Sequence, residues 1–143
     1  MKKLTRILVP VDASNGAKQA VRLAAELAAA TGAALDILHV SYFDTDTDAF
    51  EESWLPEAIA GPVGIEEQEA LERARKHVPS SVPAEYHRRT GIPAEEILQF
   101  AEERPDDLIV VGCRGLGFMQ GVLLGSVSQA IAERASVPVL VAR

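Results

Sequence analysis

A chain of 143 residues, 48% hydrophobic and 24% charged, has the size of one domain and the composition of a packed globular protein, which excludes a disordered or collagen-like chain. Its 21 acidic against 14 basic side chains give a formal charge of −7, a field that repels nucleic acid phosphates. The single cysteine, Cys113, excludes an intrachain disulfide, and no stretch approaches the roughly 18 uncharged apolar residues of a membrane helix. The segment from Met1 to Pro10 is basic but lacks the apolar core of an export signal before Asp12. The expectation is one domain over residues 1–143, cytoplasmic, with neither nucleic acid nor membrane as partner.

In chain order, Ile7-Leu8-Val9-Pro10-Val11 is a β-branched run without polar alternation, as in a strand covered on both faces. Ala17, Ala20, Val21, Ala24, Leu27 and Ala28 follow at helical spacing with Lys18, Arg22 and Glu26 on another face, and Gly32 supplies a stop. Residues 34–40 form a second strand, completing a βαβ unit with parallel pairing and a right-handed crossover. Residues 41–65 break the rhythm with acidic side chains, prolines and glycines, and read as a long loop. A charged helix over 65–77, a strand over 84–90 and a helix opened by Pro93 with Glu95 and Glu96 in its first turn come next. Leu108-Ile109-Val110-Val111 is a second fully apolar strand; a helix over 126–135 and the strand Val137-Pro138-Val139-Leu140-Val141 complete the series. Five strands alternating with four helices predict an α/β fold, a doubly wound parallel sheet with helices on both faces. Ligands of such sheets sit beyond the strand carboxyl ends where the winding reverses, so the segments after strands 1 and 4 face one crevice.

After strand 4, five of the 10 glycines fall within 14 residues, Gly112, Gly115, Gly117, Gly121 and Gly125, followed by Ser126, Val127 and Ser128 at a helix start. Glycines let a backbone approach an anion and aim its N–H groups, while a helix N-terminus adds its dipole. Hydroxyls of Ser126 and Ser128 and the Arg114 guanidinium can add contacts to phosphate oxygens. No Gly-Lys pair exists for a Walker loop, and Gln120 stands where a dinucleotide fingerprint needs glycine.

Gly112-x2-Gly115-x9-Gly125-Ser126 resembles instead the nucleotide-binding signature of the universal stress protein family, in its ATP-binding branch. Val9-Pro10-Val11-Asp12-Ala13-Ser14, Leu38-His39-Val40 and the closing Val137 to Val141 are similar to that family's first, second and last strands. The resemblance implies a Rossmann-like five-stranded sheet of order 3-2-1-4-5. It implies that Pro10, Val11, Asp12 and Val40 hold adenine and ribose, and that Gly112, Arg114, Gly115, Gly125, Ser126, Val127 and Ser128 hold the phosphates. ATP, with or without Mg²⁺, is the implied ligand, with ADP and AMP as alternatives, and a homodimer through Val137 to Val141 is the implied assembly. The function so implied is a nucleotide-dependent switch or sensor in stress response, read by a protein partner. Slow ATP hydrolysis or phosphoryl transfer is the alternative, although no Glu, His or Lys lies between Gly112 and Ser128. A nucleotide-free dimeric interaction module is a third reading.

Each residue also has a plainer role. Asp12 or Ser14 can cap the first helix and Ser126 the last, and Arg114 can be a solvated loop charge. His39 reads as a packed strand residue, and with His77 and His87 in separate elements no histidine pair has ligand spacing. Asp44-x-Asp46-x-Asp48 lacks the glycine and closing glutamate of a calcium loop, and Cys113 reads as an inert small side chain. Pro138 marks the last strand as an edge.

Overall fold

The computed structural model describes residues 3–12, 15–42, 68–113 and 125–143. Ser14, the acidic run Asp44 to Asp48, Arg114 and Gly115 lie outside the described residues. The elements are β1 (Arg6–Pro10), α1 (Asn15–Thr31), β2 (Ala34–Tyr42), α2 (68–75), β3 (Ala84–Gly91), α3 (Pro93–Glu103), β4 (Leu108–Gly112), α4 (Ser126–Arg134) and β5 (Val139–Ala142). All strand pairs are parallel and the order is β3-β2-β1-β4-β5, the doubly wound arrangement expected. No helix of the described residues is long and apolar enough to cross a membrane.

Unalternating apolar strands imply cover on both faces, and the core divides accordingly. Ile7 and Val9 of β1, with Leu35 and Ile37 of β2, pack under α1 and α2. Leu8, Leu38, Ile109 and Val111 point the other way, against Ile97, Phe100 and Ala101 of α3 and Ile131 of α4. Each such side chain fully withdrawn from water contributes about 1.5–3 kcal/mol, so the two cores together fix the strand register. Helix α1 buries Ala17, Ala20, Ala24, Ala25 and Ala28, small residues that let it lie close on the sheet. Gly32 then turns to φ 78°, a left-handed conformation that ends α1, and its N–H donates to the Ala28 carbonyl at 2.8 Å.

Strand limits differ from the sequence reading by a residue or two. β2 runs on to Tyr42 because β3 pairs with it as far as Gly91. β5 begins at Val139 rather than Val137 because Pro138 has no N–H for the ladder, although its carbonyl still accepts from Ile109 at 3.0 Å. β5 is an edge of the sheet, as that proline indicated.

Candidate functional site

The carboxyl ends of β1, β2 and β4 open into a cleft of about 390 Å³ closed on its far side by α3 and α4. Pro10, Val11 and Asp12 form one wall, Val40 the next, and Gly112 and Gly125-Ser126-Val127-Ser128 the opposite side. Every expected site residue among the described ones thus borders one cavity; Arg114 and Gly115 lie outside the described residues. Parallel strands 1 and 4 are neighbours, and this alone brings segments about a hundred residues apart to the same crevice.

The cleft has two chemical halves. Val11, Leu38, Val40, Val111, Ile97 and Ile131 make an apolar wall, while the first turn of α4 makes a polar end. Gly125 is the N-cap of α4, with no side-chain cap hydrogen bond, and the first turn carries no acidic residue. Its early N–H groups have no acceptor four residues back within the helix, so this end favours an anion. Ser126 is the first helical residue rather than the cap; Gly125 takes the cap position, and the exposed Ser126 hydroxyl stands at the mouth. Gly125 itself has φ −67° and ψ 162°, which any residue adopts. A β-carbon added there meets no atom of the described residues within 4 Å. Neither backbone strain nor crowding within the described residues therefore requires glycine at 125.

Ser128 also ties two elements of the fold together. Its Oγ donates to the Gly112 carbonyl at 3.1 Å, tying α4 to the end of β4. That bond uses the one proton the hydroxyl carries. Ser128→Ala is expected to cost about 1 kcal/mol in urea unfolding, the usual net worth of one such bond. A loss below about 0.3 kcal/mol would show that water replaces the clasp without penalty.

Among the described residues, the ionisable side chains bordering the cleft are Asp12, which is exposed, and Cys113. Sequence reasoning missed the apolar wall from α3, where Pro93 and Ile97 stand one turn apart, and Leu38 and Ile131. Leu38 was legible from its i, i+2 relation to Val40, whereas α3 was not, because only helix packing brings it there. Sequence reasoning also missed a charged cluster at the other end of the strands. There Asp36, Glu85 and His87 come together across β2 and β3, with ligand atoms within 4.8 Å of one another, although no histidine pairs with another. The Asp36 carboxylate in that trio already receives two guanidiniums, from Arg6 and Arg104.

Comparison with known proteins agrees with the fold. YxiE of Bacillus subtilis, a universal stress protein, is 35% identical over 145 residues, covering 96% of this chain and 98% of that protein. Among solved structures, a universal stress protein in complex with cAMP aligns with a TM-score of 0.68 at 28% identity, covering 99% of this chain and 98% of that one. The Archaeoglobus fulgidus universal stress protein in complex with dAMP aligns at 0.67 and 26%, covering 99% and 100%. The Universal stress protein family model matches residues 3–143. No strand of the sheet and no wall of the cleft falls outside that match, and the chain belongs to the universal stress protein family.

Proposed function

We propose that the cleft binds an adenine nucleotide and that the protein, as a member of the ATP-binding branch, acts as a nucleotide-dependent switch or sensor in stress response. The observation that carries the proposal is the pairing, in one cleft, of an apolar wall with a helix N-terminus whose cap residue is glycine and has no side-chain cap hydrogen bond. Adenine and ribose fit against Pro10, Val11, Asp12 and Val40, where apolar side chains take the base and the Asp12 carboxylate can accept from ribose hydroxyls. The phosphates fall to the backbone of Gly112, Gly125, Ser126, Val127 and Ser128, with Arg114 and Gly115 assigned by the family signature. Relatives solved with cAMP and dAMP support an adenine nucleotide, and the glycine signature, suited to a phosphate chain, favours ATP, with or without Mg²⁺. ADP and AMP compete for the same site. The edge position of β5 supports a homodimer through Val137 to Val141, since an apolar edge left bare invites pairing with its own copy.

Native mass spectrometry of the purified protein, followed by thermal titration with ATP, ADP, AMP and cAMP, tests both parts. A nucleotide at about 100 times its Kd is expected to stabilise by about 2.7 kcal/mol and to raise Tm by about 5–10 °C. A dimer whose melting ignores all four at millimolar concentration overturns the switch and leaves a nucleotide-free interaction module.

A further inference from the structure

We propose that Asp36 and Asp106 form a proton-binding carboxyl pair at the amino-terminal end of the sheet, which takes up one proton when the chain folds. Asp36, on β2, is fully buried between Leu8 of β1 and Glu85 of β3. Its carboxylate accepts from Arg6 Nη1 at 3.0 and 3.1 Å and from Arg104 Nε at 3.2 Å, and it meets His87 Nε2 at 2.9 Å. Asp106, in the turn between α3 and β4, is only 4% exposed, and among the described residues no N–H or hydroxyl reaches either of its carboxyl oxygens. Its N–H donates to the carbonyl of Arg104, the residue whose Nε binds Asp36 at 3.2 Å, and this tight turn brings the Asp106 carboxyl to the Asp36 cluster.

The surrounding donors explain what such a group requires. Among the described residues, the groups that face the pair are Arg6 from β1, Glu85 and His87 from β3, and Arg104 from the end of α3. Both guanidiniums donate to Asp36, and Arg104 also reaches the exposed Glu85, so among the described residues Asp106 is left without a donor of its own. One proton supplies it. Held on Asp106, that proton gives the buried carboxyl a donor to direct at Asp36, and both groups are satisfied. A divalent cation on Asp36, Glu85 and His87 would instead overshoot, adding two charges beside two guanidiniums.

The two acids are driven apart. Burial, then the hydrogen bond to Asp36 and its charge, push the Asp106 carboxyl up to about 8, against the pull of Arg6 and Arg104. Burial also raises Asp36, but hydrogen bonds from Asp106, His87 and Arg6 outweigh it and hold that carboxyl below its usual range. The folded chain thus keeps a proton on Asp106 up to about pH 8 that the unfolded chain releases near pH 3.8. Across that window the unfolded state binds fewer protons, so stability falls as pH rises and levels off above about pH 8. His77 acts oppositely near its ordinary range, because burial and then the charges of Lys18, Arg22 and Lys76 lower it. A comparison between variants removes that contribution.

Asp106→Asn provides the comparison, because the amide has the shape of the protonated acid and donates to Asp36 without a titrating proton. From pH 5 to pH 7 the ratio of wild-type to variant unfolding constants, from urea titrations, is expected to grow about a hundredfold. A ratio constant within about twofold overturns the proposal. Carbon-13 carboxyl NMR of the wild-type protein is the second test and needs no variant: one aspartate resonance should titrate with a midpoint around 8. All aspartates titrating below about pH 5, or the same proton found on the His87 ring, overturns it. So does zinc or magnesium chloride that raises Tm at pH 8 in the wild type and not in Asp106→Asn, which would make the cluster a cation site.

Discussion

Replacing Asp36 by alanine is expected to destabilise the protein by about 3 kcal/mol at pH 7, lowering Tm by about 10 °C. The side chain is fully buried and is the common acceptor of Arg6, Arg104 and, when its Nε2 carries hydrogen, His87. Removing one partner of a buried ion cluster leaves the others desolvated without compensation, which costs about 3–5 kcal/mol. The lower figure applies because the Arg6 and Arg104 side chains are 28% and 33% exposed and can turn to water. Asp106, relieved of its neighbour, also becomes free to ionise beside Arg6. Asp36→Asn keeps the volume and one acceptor oxygen and should lose about half as much. Urea unfolding of both variants decides the point; an alanine penalty below about 1 kcal/mol would show that the cluster is neutral in net energy, as some buried ion networks are.

Gly125→Val is expected to lower nucleotide affinity about a hundredfold or more, roughly 3 kcal/mol, while changing stability by less than about 1 kcal/mol. The two numbers separate because the native conformation at 125 suits any residue and the described surroundings have room for a β-carbon. Among the described residues nothing stands where the added methyls would go, whereas a ligand lying against this backbone would meet them. Calorimetric titration with ATP, beside urea unfolding of the unliganded variant, measures each. Undiminished binding would move the phosphates away from the start of α4, and a large stability loss would mean that glycine serves the fold rather than a ligand.

The sequence was informative about the sheet and the cleft, and silent about the buried acids. The runs Ile7-Leu8-Val9 and Ile109-Val110-Val111 announced strands covered on two faces, because burial on both sides removes the polar alternation that one-sided strands keep. Their place in a βαβ series made the sheet parallel, and in parallel sheets the strand ends that hold ligands follow from topology. Asp12 and Gly112 could therefore be assigned to one cleft without coordinates. Local composition also marked Gly125 and its serines, although only the structure placed the cap at Gly125 and turned the Ser128 hydroxyl to Gly112. The buried acid pair was illegible. Asp36 sits between Leu35 and Ile37 in its strand, and Arg6, His87 and Arg104 lie 30, 51 and 68 residues away in sequence. Periodicity tells which face of a strand is buried. Which polar group stands opposite depends on cross-strand register and on the path of the turn after α3, and these are set by the packing of the whole core.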